Sequence, residues 1–181
     1  MKGKEKQKSS HWAVQVFVLA VALSAALSLI SSTALTGAGY VVAVSVLVAF
    51  IALGIVFDMI GVAVTAADPR PFHSMASHKE KGGKQAIRLL QNASRVSSVC
   101  NDVVGDICGI VSGTTAAVIV LRLQTDLQTK TILISIVVTA LISGVTIGGK
   151  AIGKRLAMNH STDVVYRTAR VMRLLRIGRT E

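Results

Sequence analysis

Long apolar stretches dominate this chain, and the polar residues between them are spaced like the ends of membrane helices. From His11 through Phe57 there is no Asp, Glu, Lys or Arg. Two further uncharged runs cover Ile107–Leu121 and Thr131–Gly149. A helix needs about 20 mainly apolar residues to cross the hydrocarbon core of a bilayer. The first run holds two such lengths, with a break at Ser31-Ser32-Thr33-Ala34-Leu35-Thr36-Gly37-Ala38-Gly39. The pattern predicts four membrane helices, near 12–31, 40–66, 97–121 and 131–149. The expected fold is all-α: a polytopic membrane protein of four transmembrane helices with a basic juxtamembrane helix at its C-terminus.

Charge turns this pattern into a topology. The 181 residues are only 16% charged, against about 25% in soluble domains. Their formal net charge is nevertheless +11. On a soluble protein that excess would suggest nucleic acid. Here the basic residues fall in alternate segments. Residues 1–10 carry +3, residues 67–96 carry +4 and residues 150–181 carry +6. The link 122–130 carries +1 and the link 31–39 carries no charge. This is the positive-inside pattern. It implies an integral membrane protein with both termini cytoplasmic, in the plasma or inner membrane, and leaves no charge for nucleic acid to explain. A cleaved signal peptide is the alternative for the first helix, but its apolar stretch outruns the usual 7–15-residue h-region. A retained helix is expected.

The expected organisation is a basic tail over 1–10, a four-helix domain over 11–149 with a cytoplasmic segment at 67–96, and a basic amphipathic helix within 150–181. The tail reads as disordered. Asp68-Pro69-Arg70-Pro71 stops the second helix, because proline removes a donor and restrains the residue before it. Lys84–Asn92 then reads as a short helix lying at the membrane surface, with Ala86, Ile87, Leu89 and Leu90 as its apolar face. A last helix is expected over 161–177, with Arg167, Arg170, Arg173 and Arg176 every three residues. It reads either as an interfacial helix attracted to anionic headgroups or as a helix that docks on a partner. Gly105, Gly109 and Gly113 recur every four residues, as do Gly144 and Gly148. That spacing lets helices approach closely, within one chain or between two. Cys100 and Cys108 lie about 12 Å apart along one helix, beyond disulfide reach, and read as packing residues.

The acids within the apolar segments carry the candidate chemistry. Asp102 and Asp106 are four apart and share a helix face, with Asn101, Gly105 and Ser98 on or beside it. Asp58 lies inside the second helix. A carboxylate within a membrane is costly, about 2.5–3.5 kcal/mol on insertion scales, and faces a bundle interior or a wet cavity. A hard cation held by carboxylate, amide and hydroxyl oxygens would neutralise such a patch, and those ligands suit magnesium or calcium. The alternatives are local. Asp102 reads as a solvated helix-start residue, Asp58 as a proton carrier or a partner of Lys150, and Lys150 as a basic interface anchor. His73, His78 and His160 lack metal spacing. No P-loop, HExxH or Ser-His-Asp arrangement is present, so no enzyme and no resident cofactor are expected.

Phe57-Asp58-Met59-Ile60-Gly61-Val62-Ala63-Val64, then Gly83-Lys84-Gln85-Ala86-Ile87-Arg88-Leu89-Leu90, then Ser97-Ser98-Val99-Cys100-Asn101-Asp102-Val103-Val104-Gly105 follow one another in a familiar order. Gly149-Lys150 and Val171-Met172-Arg173-Leu174-Leu175 complete it. Over about residues 50–177 this resembles the transmembrane domain of the cyclin M and CorC proteins, linked to magnesium transport, with one helix added in front. In that family the first segment carries serine and glutamate, where Asp58 and Gly61 stand here, and Thr146 stands at another glutamate position. The regulatory domain that follows in the family is not matched. The resemblance implies a homodimer and maps a metal site onto Asp58, Ser98, Asn101 and Asp102. Asp106 joins them from the helix-face argument.

The expected function is therefore a divalent-cation transporter, magnesium first, or a cation-binding membrane protein. The alternative is a structural or regulatory membrane subunit that transports nothing and binds lipid or a cytoplasmic partner. A proton-coupled carrier shares the acids but lacks the length and internal repeat of such folds. The depth of the acids discriminates. Asp58, Asp102 and Asp106 lining one cavity favours transport. Acids that face solvent, or pair singly with Arg or Lys, favour the subunit.

Overall fold

The computed structural model describes residues 2–37, 39–126 and 132–174, and side chains from residue 12 onward apart from residue 13. Among these residues the chain is helical and contains no strand. Helix α1 is Lys2–Leu35, α2 is Tyr40–Ala66, α3 is Arg70–Ser77 and α4 is Gly83–Gln91. Helix α5, Ala93–Ser98, runs into a wide π-helical turn, Val99–Gly105, and on into α6, Asp106–Asp126. Helix α7 is Ile132–Asn159 and α8 is Ser161–Leu174. Four spans are long and apolar enough to cross a membrane: Val14–Leu35, Tyr40–Ala66, Ala93–Asp126 and Ile132–Asn159. The chain is an integral membrane protein.

Three boundaries differ from the sequence expectation. The basic residues 2–10 are helical and continue α1, because Lys, Glu and Gln are good helix formers once a long helix lies beside them. The third span begins at Ala93 rather than 97. The fourth runs ten residues past Gly149, to Asn159. Nothing in Ala151-Ile152-Gly153-Lys154-Arg155-Leu156 breaks a helix.

The contacts divide the chain into two compact units, Met1–Gly54 with Val103–Thr146, and Ile55–Asp102 with Ile147–Glu181. In the first, Phe50, Val103, Ile107, Cys108 and Val111 form a buried apolar cluster, and Leu35, Ala43, Leu47, Ala116 and Ile119 form another. Ser31 Oγ and Thr115 Oγ1 share a buried hydrogen bond of 3.0 Å. Arg122 donates to the Leu35 carbonyl at 2.6 Å and so satisfies an open carbonyl at the end of α1. Tyr40 donates to Asp126 at 2.5 Å. Large apolar side chains such as Phe17, Val41 and Leu141 stay exposed, as expected where lipid is the solvent.

The second unit is built on short amphipathic helices. Asp68 Oδ1 accepts from the Arg70 amide at 2.9 Å, and Pro71 sits in the first turn of α3, where its missing N–H costs nothing. The two prolines therefore start a helix as well as ending one, and α3 buries Phe72 completely. Gly82, at φ 107°, turns the chain into α4 in a conformation that suits glycine. Gly83 lets α4 meet α3 closely: a Cβ there would stand 2.8 Å from the Ala76 amide nitrogen. Ala86 and Leu89 of α4 join Val165 and Ala169 of α8 in one core with Phe72, Ala63, Val64 and Ala157. The apolar face of α4 is covered by protein, and α8 docks within its own chain. Arg167, Arg170 and Arg173 remain exposed. Arg176 lies outside the described residues.

Candidate cation site

Asp58 is buried, with 3% of its surface exposed. It sits on α2 eight residues before Ala66, about 12 Å from that helix end at 1.5 Å per residue. Lys150 stands nine residues before the end of α7, at nearly the same distance. Its Nζ is 3.3 Å from Asp58 Oδ2. The pairing depends on small residues around the lysine. Ile55 Cδ1 fills the space beside Gly149, 2.5 Å from where a Cβ would stand. Ile55 Cγ2 and Met59 Cγ lie 3.0 Å from the corresponding point at Gly153. A side chain at either glycine would have to displace Ile55 or Met59, whose side chains occupy that space. Lys150 is thus the ion-pair partner that the alternative reading of Asp58 named.

Asn101 comes from the π-helical turn, a feature often found at functional sites. Its Nδ2 donates to Ser97 Oγ at 3.2 Å. Its Oδ1 is buried and takes no hydrogen bond. A buried carbonyl oxygen without a donor is uncommon and calls for an explanation. This one lies against the backbone of Gly61, where any Cβ would collide with the carboxamide. Gly61 is three residues beyond Asp58 and so on the same side of α2. A buried carboxylate and an open amide oxygen therefore address neighbouring turns of one helix face. Ser98, one turn before Asn101, is partly buried.

The other two acids are differently placed. Asp102 and Asp106 are both exposed. Asp102 lies nine residues after Ala93, in the first turn of the π-helical segment. Asp106 opens α6 in the other compact unit. Among the described residues no three His, Cys, Asp or Glu side chains are grouped to hold a metal. Any cation bound near Asp58 would therefore take most of its ligands from amide, hydroxyl and backbone oxygens. Cys100 and Cys108 are buried free thiols.

Sequence reasoning named Asp58, Ser98, Asn101 and Asp102 and weighed Asp58 as the partner of Lys150, but it missed the close approach at Gly61. On the sequence criterion, an acid paired singly with a lysine and two exposed acids favour the subunit reading. The open Asn101 oxygen favours a ligand.

Comparison with known proteins places these elements. Residues 45–177 match the family described as the cyclin M transmembrane N-terminal domain. No curated protein and no solved structure matches the chain.

Proposed function

This chain belongs to the cyclin M transmembrane domain family, which is associated with divalent-cation transport, and we propose that it binds and carries a divalent cation, magnesium first, at oxygen ligands within the membrane. The observation that carries this reading is the buried Asn101 Oδ1, which accepts no hydrogen bond and faces the helix that bears buried Asp58. Asp58, Asn101 and Ser98 are the proposed core of the site. Asp102 is a ligand on the approach, and Asp106 adds negative charge near it. The basic segments support cytoplasmic termini in a plasma or inner membrane. The exposed arginines of α8 support contact with anionic headgroups. The protein works as a homodimer and is not an enzyme.

The test is thermal stability of the purified protein in detergent against magnesium, calcium, manganese and sodium at matched ionic strength. A ligand at a hundred times its dissociation constant adds about 2.7 kcal/mol. A magnesium-selective shift that falls in Asn101→Ala and in Asp102→Asn/Asp106→Asn supports the reading and calls for flux assays in liposomes.

A second reading has its own observation. Asp58 already has a cationic partner, and Asp102 and Asp106 are exposed. That arrangement suits a non-transporting structural or regulatory subunit that uses α8 to bind lipid or a cytoplasmic partner. No ion-selective shift in the same experiment would favour it.

A further inference from the structure

Lys150 is a cation already delivered to the carboxylate that the proposed site needs. Its ammonium lies 3.3 Å from Asp58, and the side chains are 23% and 5% accessible. The contact is built rather than incidental. Gly149 and Gly153 flank the lysine and admit Ile55 and Met59, which flank the aspartate. Two cations cannot share one carboxylate at low dielectric without strong repulsion, because their interaction scales inversely with both dielectric and distance. A metal ion can therefore reach Asp58 only if the ammonium leaves. Lysine suits that movement, being a compact charge on a flexible four-carbon stem. The accessible part of its side chain gives it somewhere to go.

We infer that Lys150 is a tethered competitor for the cation site, which holds Asp58 neutralised until a divalent ion displaces it. This rests on the reading of Asp58 as a cation ligand, and it supplies the regulation of that site. The exchange conserves charge locally: the ammonium swings out as the ion enters, and Asp58 is paired throughout. The open Asn101 oxygen then has a role. It is a ligand position that the lysine leaves unused while it occupies the carboxylate.

The experiment measures apparent dissociation constants for magnesium, calcium and manganese by thermal shift on the full chain in detergent. Wild type is compared with Lys150→Met, Lys150→Gln, Lys150→Arg and Asp58→Asn. Neutral residues at 150 should tighten divalent binding by roughly tenfold or more, a change of one decade in affinity. Arginine keeps the competing charge and should bind like wild type. Asp58→Asn should abolish the gain when combined with Lys150→Met. If Lys150→Met does not fold without metal, magnesium should restore its folding at concentrations that leave wild type unchanged. Failure to restore it overturns the inference. A wild-type shift that Lys150→Met and Lys150→Gln leave unaltered also overturns it, while the cation reading stands. No shift in any variant overturns both. Tightening that survives Asp58→Asn puts the ion elsewhere and overturns the competitor role.

Discussion

In the unit formed by Met1–Gly54 and Val103–Thr146 the buried polar side chains among the described residues are uncharged hydroxyls, Ser31, Ser112 and Thr115, and Ser31 and Thr115 share a hydrogen bond. The unit formed by Ile55–Asp102 and Ile147–Glu181 encloses a carboxylate with its lysine and covers two short amphipathic helices with a third. In lipid a lost hydroxyl pair leaves groups that find other partners along their own helices. Removing Lys150 leaves buried Asp58 without its counterion, whereas Lys150 without Asp58 can turn its partly exposed side chain outward. The contrast is one of charge: the second unit holds a paired carboxylate beside its apolar core, and the first buries only uncharged hydroxyls.

The sharpest way to break the contrast is to remove one charge. Lys150→Met should lower stability by about 3–5 kcal/mol, because it leaves buried Asp58 without its counterion, and Asp58→Asn should cost less, because Lys150 is partly exposed. The double variant should lose much less than the two losses added. Denaturant titration in mixed micelles measures all three, and simple additivity would mean that the two side chains act separately.

Next comes Gly83→Ala, where the added Cβ meets the backbone of Ala76 rather than a flexible side chain. A loss of about 1–3 kcal/mol is expected, as for other overpacked sites. Faster hydrogen exchange in Arg70–Gln91, with Tyr40–Gly54 unchanged, would locate the damage. Unchanged exchange in α3 and α4 would count against the tight contact.

A smaller effect is expected on the exposed face of α8. Arg173→Gln should reduce the preference for anionic over neutral nanodiscs by about 1 kcal/mol. Equal stability of both proteins in both lipids would remove the headgroup contact. The smallest effect belongs to the first unit. Ser31→Ala should cost about 0.6 kcal/mol, the average for such bonds in membrane bundles. A loss like that of Lys150→Met would erase the contrast altogether.

Much of this was legible where a local rule applies. The second span was read to the residue, because an apolar run with a single charged residue, Asp58, is bounded by Gly39 and by Asp68-Pro69. The fourth span was cut short because Lys150 looked like a membrane boundary. Its charge is met by Asp58 on a different helix, a pairing that the sequence offered only as an alternative. Helix α3 was hidden by prolines that read as breakers, although proline is tolerated in a first turn. The wide turn at Val99–Gly105 shifts the helical phase and has no signature in residue type. That is why the shared-face argument for Asp102 and Asp106 gave them an interior place, whereas both are exposed. Asn101 was named from its chemistry, but the space it fills exists because residue 61 is glycine, and only the folded helix pair reveals that.

The Asp58–Lys150 pair also ties together two moments in the life of the chain. Synthesis runs from the N-terminus, so the second span is made well before the fourth. Until Lys150 emerges, the acid on the second span has no fixed counterion in the bilayer, at an insertion cost of about 2.5–3.5 kcal/mol. A chain that terminates early keeps that defect permanently. The pair thus links the second span to the fourth, and a chain cut before Lys150 lacks the acid's counterion.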